Sequence, residues 1–233
     1  MNFETLKREF EGHEITLLRP ENAGKNWVWR AEFLGAFDYA DRALMEEGWN
    51  VLYYRISDLF GSPESIEMMK KFHDFAVKEY DLSPKADIFG FSRGGLYAAN
   101  YTIKYPEDIS VLYLDAPVLD LKSWPFGLGK GCGSEHDTEL CKTVYGFAEG
   151  DIDSFSENPI DKAEELIKSR VPVIIVCGDS DSVVPHTENC ERLIKAYTDA
   201  GAPIKYIVKK GCEHHPHSLE DPAEIVDFIK KHK

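Results

Sequence analysis

The stretch Ala86-Asp87-Ile88-Phe89-Gly90-Phe91-Ser92-Arg93-Gly94-Gly95 decides how the rest of the chain is read. Ala86–Phe91 is a short apolar run of the kind that forms a buried strand. Gly90–Gly94 then has the form G-x-S-x-G, and the segment from there through Tyr105 reads as a helix. A strand that turns at once into a helix projects the serine hydroxyl from the tip of the turn, and side chains at Gly90 or Gly94 would crowd the strained backbone. Ser92 also stands at a helix start, where backbone N–H groups favour developing negative charge. These features make Ser92 a candidate nucleophile. A glycine–serine turn without chemistry is the plain alternative, and the flanking sequence weighs between the two.

Working outward, Val111–Leu114, Val171–Cys177 and Pro203–Val208 read as further buried strands. Upstream, His13–Leu18 reads as a strand that pairs with Phe3–Phe10, Asn26–Arg30 as a short strand, and Asn50–Ile56 as another. A helix is expected around Gly35–Gly48. A second spans Pro63–Tyr80, where Ile66, Met69, Phe72, Phe75 and Ala76 share one face, and a last one covers Asp221–Lys231. This alternation predicts an α/β fold with a mostly parallel sheet. The 233 residues suit one domain, 1–233. The roughly fifty residues between Ala116 and Val171 are too many for a simple connection. They are expected to form a small cap insertion at about 118–165, loop-like around Pro125–Thr138 with short helices after it.

Two segments after strands supply partners for Ser92. Gly178-Asp179-Ser180-Asp181-Ser182-Val183-Val184-Pro185 follows the Val171–Cys177 strand, and Gly211-Cys212-Glu213-His214-His215-Pro216-His217 follows the last one. Asp181 is the expected acid and His214 the expected base, in the chain order Ser, Asp, His. Histidine suits the role because its ordinary pKa, near ~6.5, lets it take and return a proton around neutral pH. Asp179 is the likelier turn former of the two acids. Asp115, one strand earlier, is a rival acid, with lining the pocket or anchoring the cap as its alternative role. His215 can serve packing or hydrogen bonding, and the histidine cluster can be read as a metal site, although no further ligands fall at metal-binding spacing. No metal and no cofactor are expected.

An oxyanion needs two N–H donors. One is expected from Arg93, and the other from the loop after Asn26–Arg30, at Ala31 or Glu32. Trp29, Arg30 and Trp124 are candidates for a substrate pocket with aromatic walls, with core packing as the default for each tryptophan. Arg30 or Arg93 would hold a substrate carboxylate, unless each is paired with Glu32 or an acid of the cap.

Lys and Arg number 27 against 41 Asp and Glu, a formal charge of −14. Without a basic stripe, this disfavours nucleic acid as a partner. The absence of a secretory signal and of a run long enough for a membrane span predicts a soluble, cytoplasmic protein with no membrane partner. A homodimer is left open. The five cysteines form no Cys-x-x-Cys pair and are expected mostly as thiols, a Cys132–Cys141 bridge being the alternative.

With Gly90–Gly94, the Gly178–Pro185 acid loop and the Gly211–His214 loop in place, the chain resembles the α/β-hydrolase superfamily over nearly its whole length. The resemblance implies an eight-stranded, mostly parallel sheet flanked by helices, a Ser92-Asp181-His214 triad and a cofactor-free acyl-enzyme mechanism. Trp27–Arg30 and His214–Leu219 are similar to bacterial hydrolases of the prolyl oligopeptidase and acetyl esterase groups. The chain departs from the pattern at Arg30-Ala31, where many members carry His-Gly. The expected function is hydrolysis of a small-molecule carboxylic ester, with a short acyl group carried on a carbohydrate or related polar compound. The alternatives are a serine peptidase of prolyl oligopeptidase type, for whose large gating domain 233 residues leave no room, a non-catalytic binding protein on the same fold, and a metal-dependent hydrolase.

Overall fold

The computed structural model describes residues 2–233. Its centre is an eight-stranded sheet. The strands are β1 (Phe3–Phe10), β2 (His13–Pro20), β3 (Trp27–Arg30), β4 (Asn50–Tyr54), β5 (Ala86–Phe91), β6 (Ile109–Asp115), β7 (Val173–Gly178) and β8 (Ile204–Lys209). They lie in the order β1-β2-β4-β3-β5-β6-β7-β8. The β1–β2 hairpin and the β2–β4 pair are antiparallel, and every later pairing is parallel. The chain therefore has the α/β architecture that the alternating pattern predicts.

Helices cover both faces because parallel strands need crossovers. On one face, α1 (Tyr39–Glu46) and α8 (Ala223–Lys231) bury Leu44, Met45, Ile225 and Ile229 against Val28, Val51, Phe89 and Tyr113. The opposite face carries α2 (Pro63–Glu79), α3 (Gly94–Lys104), α6 (Ala163–Ser169) and α7 (Cys190–Asp199). Here Phe72, Tyr101, Leu166 and Leu193 pack on Trp29, Ile88, Leu112 and Ile175. β5, β6 and β7 are buried on both faces apart from half-buried Ser110, as continuous apolar runs predict.

Two expectations change. The helix expected around Gly35–Gly48 is only α1, Tyr39–Glu46, because Gly35 and Phe37 hold left-handed φ values of 83° and 49° that delay its start. α7, which the apolar pattern did not reveal, buries Cys190, Leu193 and Tyr197 on one face.

Between β6 and β7 lie α4 (Glu135–Tyr145), α5 (Asp151–Ser154) and α6. Residues 118–155 build a small cluster of their own, in which Val118, Leu121, Cys141 and Ile152 pack on Phe60, Leu96 and Val184. Polar clamps tie it down. Arg192 Nη1 donates to Asp120 Oδ2 at 2.6 Å, Tyr145 Oη to the Phe60 carbonyl at 3.1 Å, and Ser123 Oγ to Glu188 Oε2 at 2.6 Å. α4 starts inside the stretch expected as loop, since Ser134 caps it by accepting the Asp137 N–H at 3.3 Å. Cys132 and Cys141 are both free thiols, one exposed and one buried, so the alternative bridge is absent.

Candidate active site

The carboxyl ends of β5, β6 and β7 meet at one edge of the sheet. At the end of β5 the chain reverses into α3 through Ser92, whose φ of 48° lies in the left-handed region. The turn closes this tightly because Gly90 has no side chain. A Cβ there would stand 2.7 Å from the Ala98 Cβ and 2.8 Å from the Gly94 carbonyl oxygen. The Ser92 N–H donates to the Asp115 carbonyl at 2.9 Å, and the Val118 N–H to the Ser92 carbonyl at 2.9 Å, which locks the turn to the end of β6.

The loops after β7 and β8 cross one another. A side chain at Gly178 would collide with the Cys212 carbonyl. The Ser180 N–H donates to that same oxygen at 3.0 Å, and the Gly211 N–H to Asp179 Oδ1 at 2.6 Å. Asp179 thus shapes more than its own turn: it holds the histidine loop. The backbone N–H of Gly211, followed by the Ser180 hydroxyl, keeps its carboxyl below the usual carboxylate range.

The crossing brings the expected residues into contact. Ser92 Oγ lies 3.0 Å from His214 Nε2, and His214 Nδ1 lies 2.7 Å from Asp181 Oδ2. Asp181 Oδ1 accepts the N–H groups of Val183 and Val184 at 2.9 and 2.8 Å. Asp181 and His214 are buried, and Ser92 is half-buried. A carboxylate oriented by two N–H groups fixes the imidazole, and the imidazole faces a hydroxyl, the arrangement that general-base activation of a nucleophile requires.

The donors expected for an oxyanion divide. The Ala31 N–H is committed to the Phe89 carbonyl at 3.0 Å, extending the β3–β5 pairing, so Ala31 cannot serve. The N–H groups of Arg93 and Glu32 have no backbone partner among the described residues. Glu32 lies against the turn, its backbone nitrogen 3.5 Å from where a Gly94 Cβ would stand.

The expected pocket is largely corrected. Trp29 is core: its ring packs on Trp27, Phe72 and Tyr101 at centroid distances of 5.6, 5.4 and 4.9 Å. Arg30 is fully buried and turns inward. It donates to the carbonyls of Phe33 and Ala36 at 2.9 and 2.8 Å, stands 3.4 Å from Asp41, and lies over the Phe91 ring at 3.9 Å. It fastens the loop after β3 and, being fully buried, presents no surface to a substrate carboxylate. Trp124 is half-buried in the cap cluster, 6.2 Å from the ring of Phe60.

Arg93 sits among three carboxylates, Asp58 at 2.8 Å, Asp137 of the cap at 3.5 Å and Glu32 at 3.8 Å. Burial pushes the Glu32 carboxyl above the usual carboxylate range against the pull of Arg93. A cavity of about 610 Å³ reaches Arg93 and Glu32 from the β1–β2 side, lined also by Phe33, Tyr53 and Ser57. Phe33, an exposed aromatic beside Arg93, was missed by sequence reasoning.

The rings of His214, His215 and His217 lie 4.8–5.0 Å apart. Their candidate ligand atoms fall within 4.8 Å of one another. Both nitrogens of His214 and Nδ1 of His217 already face protein partners.

The sheet order, the crossovers and the turn at Ser92 define the α/β-hydrolase fold. Solved structures of that fold superpose on nearly the whole chain. A puromycin hydrolase matches with a TM-score of 0.73 at 18% identity, over 98% of this chain and 38% of its own. A puromycin-hydrolyzing peptidase of Mycobacterium tuberculosis matches at 0.68 and 17%, over 98% and 37%. The dipeptidyl peptidase 4 of Porphyromonas gingivalis matches at 0.70 and 13%, over 99% and 35%. The chain spans little more than a third of the length of these proteins. No family model matches it, and no curated protein matches its sequence. No helix among the described residues is long and apolar enough to cross a membrane.

Proposed function

We propose that the chain is a serine hydrolase that cleaves a carboxylic acyl bond through an acyl-enzyme on Ser92. The observation that carries the reading is the unbroken series from Ser92 Oγ to His214 at 3.0 Å and from His214 to Asp181 at 2.7 Å. In the first half-reaction His214 Nε2 takes the hydroxyl proton while Oγ bonds to the acyl carbon. The oxyanion is received by the N–H groups of Arg93 and Glu32. Collapse breaks the bond to the leaving group, which takes the proton from His214. Water, activated in the same way, then releases the acid and restores Ser92.

The peptide or amide bond of a small substrate is the favoured class, ahead of the ester first expected. Two considerations support it. The solved structures of like fold are, by their names, peptidases and puromycin hydrolases. The aromatic pocket that argued for a carbohydrate ester has lost Trp29 to the core. With three carboxylates around Arg93, the surroundings of Ser92 suit a neutral or cationic substrate better than an anionic one.

Matched aminoacyl p-nitroanilides and p-nitrophenyl esters, assayed with wild type and Ser92→Ala, test this. The expected result is turnover of both series by wild type, with the amides cleaved at measurable kcat/KM, and loss of both in the variant. Ester turnover alone would return the ester reading, and activity surviving in Ser92→Ala would remove the mechanism.

A further inference from the structure

The loop that carries His214 carries a second buried histidine with a carboxylate of its own. His217 Nδ1 lies 2.8 Å from Asp115 Oδ1, and both residues are buried. The other oxygen of Asp115 accepts the Ser218 N–H at 2.9 Å and the Tyr113 hydroxyl at 2.5 Å. Asp115 is thus fully engaged by three donors, as a buried carboxylate must be. Its main-chain carbonyl is the group that accepts the Ser92 N–H. One residue at the end of β6 therefore holds the nucleophile turn with its backbone and the histidine loop with its side chain.

The ring of His217 connects the two sides. It meets the His214 ring edge-on at 4.8 Å and 80°, and it lies 5.6 Å from the ring of Phe91, the residue before Ser92. Phe37 closes a further side at 5.3 Å. Lys209 Nζ, reaching the carbonyls of Pro216 and Ser218, fixes the far end of the loop. Ser218 holds a left-handed φ of 61° that the Asp115 bond to its N–H accompanies.

We propose that Asp115 and His217 are positioning residues, a second carboxylate–imidazole pair that sets the ring of His214 against Ser92. Asp181 fixes the rotation of the His214 ring through Nδ1, and the His217 ring fixes its approach from the side. This rests on the reading of Ser92 and His214 as the reacting pair. Because a displacement of about 1 Å can cost on the order of 10²-fold in rate, removing the pair is expected to lower kcat about tenfold to hundredfold, with KM little changed.

The test compares wild type with His217→Phe, which keeps a ring but loses the bond, His217→Gln, which keeps a donor for Asp115, and Asp115→Asn. Three measurements are made: kcat and KM, the rate of Ser92 labelling by a fluorophosphonate, and the ¹H–¹⁵N spectrum of the His214 imidazole. That spectrum reports which ring nitrogen holds the proton whether or not the protein turns over. Expected are a fall in kcat and labelling for His217→Phe and Asp115→Asn, partial rescue by His217→Gln, and an altered tautomer balance at His214. Unchanged His214 spectra in both His217→Phe and Asp115→Asn would overturn the proposal. Failure of wild type to label, with the His214 spectrum still altered in His217→Phe, would remove the hydrolase reading and leave the positioning role intact.

Discussion

In the loop of residues 211–218, His214 and His217 turn towards the strand ends and meet Asp181 and Asp115 there. In the region of residues 30–38, on the other side of Ser92, Arg30 turns beneath the loop to hold the Phe33 and Ala36 carbonyls, and Glu32 is buried beside Arg93. In the first loop one imidazole meets the Ser92 hydroxyl and both meet distant carboxylates, whereas in the second Arg30 holds the carbonyls of its own loop. Both follow a strand and both are rich in charge and aromatics, so strand-end position alone does not separate chemistry from scaffold. What separates the two histidines from Arg30 is that each Nδ1 meets a carboxylate distant in the chain, whereas the two close hydrogen bonds of Arg30 go to carbonyls of its own loop.

That contrast can be broken by substitution. Ser92→Ala is expected to have the largest effect, a loss on the order of 10⁶ in kcat. Asp181→Asn should follow at about 10⁴, measured on the same substrate. If Asp115→Asn cost as much as Asp181→Asn, the two carboxylates would not differ in role as the geometry has it. On the other side of Ser92, Arg30→Met should act on stability. Leaving Asp41 buried without its cation is expected to cost about 3–5 kcal/mol in denaturant unfolding, with KM nearly unchanged. A raised KM at unaltered stability would instead make Arg30 a substrate contact.

His215 gives the smallest effect. Although the residue is exposed, partial desolvation of the ring and then the neighbouring His217 and His214 hold its imidazole below the ordinary value. The unfolded chain therefore binds a proton near pH ~6.5 that the folded one resists. The stability it contributes is complete above that pH and is lost as pH falls through it towards the depressed folded value. His215→Asn should lose less Tm than wild type across that interval, and equal losses would contradict the assignment.

Much of this arrangement was legible beforehand because hard constraints left marks. Gly90 and Gly178 are required where another side chain would collide, and each stands in a segment that carries a residue of the Ser92–His214–Asp181 series. The parallel strands showed as apolar runs. The roles of Trp29 and Arg30 were not legible for the same reason. β3 is buried at all four positions, so alternation offers no polar face from which to tell pocket from core. α7 escaped because its buried positions, Cys190, Leu193 and Tyr197, are few and separated by charged residues. The start of α4 is not legible because the Ser134 cap and Asp137 lie in a stretch of weak periodicity that reads as loop. Asp115 was weighed as a rival acid for His214. Its partner proved to be His217, a pairing across roughly a hundred residues that spacing along the chain cannot show.

The central claim is that Ser92 is activated by His214. Intact-mass measurement after brief treatment with a fluorophosphonate, with peptide mapping of the adduct, tests it most directly. The account predicts one adduct per chain, on Ser92, in wild type and none in Ser92→Ala, with labelling slowed severely in His214→Ala. An unlabelled wild-type protein, or labelling at an unchanged rate in His214→Ala, would contradict it.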